Sequence, residues 1–170
     1  FEEVARCLRV DSLRLIHRRG AGHPGGALSA AEIISVLYFH ILRVNPARPG
    51  WNERDRFILS KGHASAVLYA ALARRGFFPF SELDTWGEIN CPHQAHPDRF
   101  KTPGVDMTSG LLGHGVAVGA GLSLAAFNIG VELGQVTIIT TAYFLIGKWF
   151  NEKTWYRQRI VYPVSACIAL

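Results

Sequence analysis

Three short segments set a histidine among glycines, prolines and small polar residues. They are Gly22-His23-Pro24-Gly25-Gly26, Ser60-Lys61-Gly62-His63-Ala64-Ser65 and His93-Gln94-Ala95-His96-Pro97-Asp98. A neutral imidazole gives or takes a proton near pH 7, so such residues are candidates for proton transfer. Glycine beside His23 lets a ligand approach the backbone. His63 gains weight from its surroundings. The apolar run Phe57 to Leu59 reads as a buried strand, Ser60-Lys61-Gly62 breaks it, and a helix follows over 64–75 with Val67, Leu68, Ala71 and Leu72 on one face. The amide N–H groups opening such a helix favour an anion such as a diphosphate. One histidine beside glycine and proline is ordinarily a surface-loop residue, so only the set carries weight. His17, His40, His93 and His114 have no comparable support. The helical spacing puts His40 on an apolar face, as a core or boundary residue.

The elements that would position these loops are mostly helical. Residues 2–19 read as an amphipathic helix with Val4, Leu8, Ser12 and Leu15 on one stripe, stopped by Gly20 and Gly22. Ser29-Ala30-Ala31-Glu32 has the pattern of a capping box, which makes Glu32 a cap rather than an acid catalyst. The helix it opens is expected to bury Ile33, Val36, Leu37 and Ile41 and to end near Arg43. Asn45-Pro46 and Pro49-Gly50 mark an exposed turn. A short helix capped by Ser81 is expected over 81–88. Residues 89–109 carry three prolines and no clear period, a long loop of the kind that often bears function.

Beyond Gly110 the character changes. Gly113, Gly115, Gly119 and Gly121 thread a small-residue segment suited to close helix packing, and from Val116 to Gly147 the only charged residue is Glu132. One reading is a buried helix followed by a buried strand over the β-branched stretch Val136 to Thr141. The other is a membrane span. The uncharged runs 116–131 and 133–147 hold 16 and 15 residues, short of the roughly 20 a spanning helix needs.

Composition narrows the function classes. The chain has 170 residues, 49% of them hydrophobic, which is enough for a packed core. Its net charge of +5 is scattered, with no basic stripe and interleaved aromatics, so nucleic acid is not the expected partner. Phosphorylated small molecules suit the charge. Cys7, Cys91 and Cys167 are far apart and form no CxxC pair, which points to a reducing, cytoplasmic setting and away from zinc. The chain begins at Phe1 and stops inside an apolar run, so it is expected to be a fragment.

Four motifs, the Gly22–Gly26 and Ser60–Ser65 loops, Ala95-His96-Pro97, and Pro103-Gly104-Val105-Asp106-Met107-Thr108-Ser109-Gly110 with Gly113-His114-Gly115, resemble the transketolase family in order and spacing. The resemblance is to the thiamine-diphosphate-binding N-terminal domain, especially in enzymes split into two subunits, and spans about residues 2–126. It implies an α/β fold, here incomplete: predominantly helical with few parallel strands over 1–126, then an apolar tail over 127–170. It implies thiamine diphosphate with Mg²⁺ as cofactor, and transfer of a two-carbon ketol unit between sugar phosphates, the cofactor ring acting as electron sink. By the same resemblance His23 contacts substrate hydroxyls and assists proton transfer, and His63 lies near the diphosphate and the reacting carbon. His96 bonds the donor's terminal hydroxyl, and Gly110, Leu111 and Leu112 offer backbone to the cofactor ring. The implied partner is a C-terminal transketolase half or second subunit, in a homo- or hetero-oligomer. Deoxyxylulose-phosphate synthases share an early glycine–histidine loop and stay open as an alternative.

The departures matter too. His114 stands where the family usually has glutamine. The Gly-Asp-Gly that begins the family's Mg²⁺ site is missing, so no metal ligand is assigned. Phe127-Asn128-Ile129-Gly130-Val131-Glu132-Leu133-Gly134-Gln135 resembles a motif of hydrogenase/urease accessory membrane proteins. In that setting Glu132 would be an intramembrane acid, and the stretch from Arg157 to Pro163 a basic loop entering a last helix. A merely apolar, diverged tail is the other reading. The rival function is a membrane-associated accessory or transport module. As a transketolase piece, the chain is expected not to be a competent catalyst alone.

Overall fold

An alanine-rich helix over Ser65–Arg75 is the element against which the other helices of the N-terminal part pack. The structure, a computed structural model, describes residues 1–147 and Lys153. Backbone contacts divide the chain into Phe1–Ala120 and Gly121–Leu170.

In the first unit, α1 (Glu2–Arg19) opens with Glu2 and Glu3 and closes with His17, Arg18 and Arg19, charges that complement the helix dipole. Gly20, at φ 70°, ends it in the left-handed conformation and donates its N–H to His17 O. Its inner face is Ala5, Leu8, Asp11, Ser12 and Leu15. The buried Ser12 hydroxyl donates to Leu8 O, and the buried Asp11 carboxylate pairs with Arg74. Next come α2 (Pro24–Leu28) and α3 (Ala31–Val36), the latter running into a π-helical turn, Leu37–Ile41. A 3₁₀ turn (Gly62–Ala64) leads into α4 (Ser65–Arg75), which is closed by Gly76 at φ 92°. Every residue of α4 from Ser65 to Ala73 is buried. The expected single apolar face is therefore only part of its contact surface. Alanines let α1, α2 and α3 all approach it.

Several local expectations are corrected. The capping box does not form: α3 begins at Ala31 with no side-chain cap, Ser29 Oγ donates to Gly26 O, and Glu32 pairs with Arg9 across on α1. The buried face is Ala31, Ile34, Ser35 and Tyr38, while Ile33 and Ile41 are exposed. Close packing against α1 and α4 favours small Ala31 and Ser35 over a stripe of large side chains. That register leaves His40 exposed, its ring 4.0 Å from that of Phe1, rather than in the core. The 81–88 helix is a 3₁₀ segment, Phe80–Thr85, without a side-chain cap.

Phe57 to Leu59 does not form a strand. Among the described residues there is no strand at all, so the family's α/β character is not seen there. A strand needs a neighbour's backbone to bond. Here Phe57 N–H instead donates to the Asp106 carboxylate at 2.9 Å.

Helix α5 (His114–Ala142) continues into a π-helical turn, Tyr143–Gly147. Of the glycines expected to allow close packing, Gly115 does so, while Gly113 and Gly121 have nothing within 4 Å of where a Cβ would stand. A Cβ on Gly115 would lie 2.8 Å from Ser60 Cα and 3.0 Å from Ile58 Cγ2. The strand expected over 136–141 is helical, with Thr137 Oγ1 bonded back to Leu133 O at 2.8 Å. Leu122, Phe127, Leu133 and Ile138 are exposed, so the burial expected there is absent. The helical run His114–Leu145 joins both uncharged runs across Glu132 and, by length and composition alone, is long enough to cross a membrane. Arg157 to Pro163 and Cys167 lie outside the described residues.

Candidate functional site

The histidine loops meet at the entrance to α4. His23 is the residue before α2, whose first position is proline, a ring already set for a helical start. Its imidazole lies edge-on to that of His63, centroids 5.2 Å apart. Gly26 makes this approach possible: a Cβ there would stand 3.0 Å from His63 Cδ2. Lys61 Nζ donates to Ser29 Oγ at 2.8 Å and ties the same two segments together. On its other side the 60–65 loop meets residues 109–110. A Cβ on Gly62 would come within 2.7 Å of Ser109 C and O, so only glycine allows that contact.

The third loop joins through α4 and Ser109. Ser65 Oγ donates to Ala95 O at 2.6 Å, Tyr69 OH to His96 O at 3.2 Å, and Ser109 N–H to Pro97 O at 3.1 Å. His96 is itself exposed, with its Cδ2 3.7 Å from where a Gly110 Cβ would stand. The structure thus brings His23 and His63 into ring contact and sets His96 beside Gly110. Leu111 and Leu112 follow with side chains 74% and 71% exposed. His17, His40 and His114 are exposed and lie outside this cluster of contacts.

Two supports are not legible in the spacing. Arg54 and Asp106 form a buried ion pair in which Arg54 Nη1 lies 3.1 Å from Asp106 Oδ2, and with the Phe57 N–H bond it fastens the run leading to Ser60. His93 is fully buried, stacked on Phe78 at 4.1 Å. Its Nε2 is 3.2 Å from Glu82 Oε2 and its Nδ1 3.3 Å from Thr102 Oγ1. Burial lowers its pKa, and Glu82 opposes that shift. Its partners are remote in sequence, so no motif marks it.

A family model, described as transketolase, thiamine diphosphate binding domain, matches residues 2–147. The chain belongs to this family. It is 45% identical over 147 residues to the 6-deoxy-6-sulfo-D-fructose transketolase subunit of Clostridium sp. (strain MSTE9), a match covering 86% of the chain and 51% of that protein. It is 40% identical over 118 residues to one subunit of the apulose-4-phosphate transketolase of Phocaeicola vulgatus, covering 69% and 42%. The solved transketolase of Leishmania mexicana superposes with a TM-score of 0.66 at 36% identity, over 68% of this chain and 18% of that one. The chain therefore spans about half the length of the first of these relatives. The family match runs past Ala126, through Phe127 to Gln135, and includes Glu132.

The residues present fit part of the cofactor. The start of α4 with His63 suits a diphosphate. Ser109 Oγ, beside Gly110, is buried without a hydrogen-bond partner and is free to meet a ligand. Among the described residues no group of three His, Cys, Asp or Glu is placed to hold an ion.

Proposed function

We propose that this chain supplies the histidine-bearing part of a transketolase-type site, which passes a two-carbon ketol unit between sugar phosphates. The contact of His23 with His63, within loops fastened to Ala95, Pro97 and Ser109, carries this reading. Thiamine diphosphate, when bound, supplies the electron sink for the carbon–carbon bond that breaks. His63 and the α4 N-terminus hold its diphosphate. The backbone of Gly110, Leu111 and Leu112 would meet its ring. His23 binds a substrate hydroxyl and moves its proton, and His96 hydrogen-bonds the donor's terminal hydroxyl.

A second polypeptide completes the site. Two relatives are themselves named as transketolase subunits, which supports a split arrangement. No step is routed through Mg²⁺, because the described residues offer it no ligand set. The chain matches about half or less of its subunit relatives, which supports the reading that it is not a competent ketol transferase alone.

Calorimetric titration of the full chain with thiamine diphosphate, with and without Mg²⁺, tests this. The expected result is weak binding that Mg²⁺ does not strengthen. Tight, Mg²⁺-dependent binding would contradict the metal argument. No binding at millimolar cofactor would remove the diphosphate assignment.

A further inference from the structure

A second cavity, of about 390 Å³, opens between residues 49–56 and 99–106. Four cations line it, Arg54, Arg56, Arg99 and Lys101, against one carboxylate, Asp106. Asp106 is already engaged. Its Oδ1 meets Arg54 and Arg56, and its Oδ2 accepts from Arg54 and from Phe57 N–H. Arg54 is spent on Asp106, Pro49 O and Asp55 O. The remaining positive charge sits on Arg56, Arg99 and Lys101. Arg56 makes only long bonds, at 3.3 to 3.5 Å. Lys101 Nζ stands 3.9 Å from Asp98, whose other oxygen accepts from Phe100 N–H and the Thr108 hydroxyl. The Arg99 guanidinium lies over the ring of Phe100, which is 84% exposed.

We propose that this cavity is a binding site for a phosphomonoester, separate from the histidine loops. None of its lining residues is His23, His63, His96 or Gly110 to Leu112, and the proposal does not rest on ketol transfer. Planar guanidinium groups match phosphate oxygens in pairs, and Lys101 adds a mobile point charge. The volume suits a small metabolite rather than an ion alone. Phe100 offers an apolar face to the body of the ligand.

The test is ¹H–¹⁵N NMR of the full chain at low salt, titrated with inorganic phosphate and, separately, with ribose 5-phosphate. Saturable shifts are expected at Arg56, Arg99, Phe100 and Lys101. Ribose 5-phosphate should bind more tightly if Phe100 meets the sugar. Arg99 and Lys101 are exposed, so Arg99→Gln with Lys101→Gln should leave the fold intact and weaken binding about tenfold or more. Arg14→Gln, exposed on α1, should change nothing. Non-saturating shifts spread over all exposed cations would overturn the proposal. So would shifts confined to His63 and Gly110, or unchanged affinity in the double variant.

Discussion

Residue types and roles part company most clearly at the histidines. His93 sits in the same hexapeptide as His96, yet one is buried in the protein and the other exposed. Phe78, Tyr69, Glu82 and Thr102 enclose the His93 ring, and its backbone N–H faces Cys91 Sγ. The fold therefore holds this imidazole neutral, with its pKa below the ordinary 6.5 because of burial. Between the folded and unfolded pKa values the unfolded chain binds more protons, so stability falls as pH drops. The contribution of His93 is complete above about pH 6.5 and is lost as pH falls through the lowered folded value. Thermal melts between about pH 7 and about pH 5 should show a steeper loss for the native chain than for His93→Gln. Equal slopes in the two would assign the acid sensitivity to another group. His23 and His63 are legible because glycine and proline mark tight loops in the chain itself. His93 is not, because its environment comes from residues that only folding brings near.

At the scale of elements, what the chain encodes locally comes through and what neighbours impose does not. Helices α1 and α4 stop where Gly20 and Gly76 allow a left-handed residue. The register of α3 is hidden in the sequence, because large apolar residues outweigh the small ones that close packing requires. Ser29 carries a capping pattern but is engaged by Gly26 O and Lys61 Nζ. The Phe57–Leu59 run has strand composition and no strand partner among the described residues. The loop junction yields a sharper prediction. Gly62→Ala places a methyl 2.7 Å from the Ser109 backbone, which cannot move aside as a side-chain tip can. It should cost about 1–3 kcal/mol in urea melts and abolish the His23–His63 NOE. Gly25→Ala meets nothing within 4 Å and should be neutral or slightly stabilising. Equal effects from both would mean that the 60–65 and 109–110 segments do not meet as described.

For the whole molecule, the family is readable from four ordered motifs, while the reach of the match to residue 147 is not. From Gly121 to Gly147 the only charged residue is Glu132, so composition alone suggests a buried helix and strand or a membrane span where the structure has an exposed helix. The central claim is that three segments, far apart in the sequence, form a single cofactor site. The most direct measurement follows the imidazole ¹³C–¹H resonances of the full chain, assigned by single His→Gln variants, during a thiamine diphosphate titration. His23, His63 and His96 should shift together along one saturation curve, while exposed His17 and His40 stay still. Shifts absent from all three, following separate affinities, or shared equally by His17 and His40 would contradict that claim.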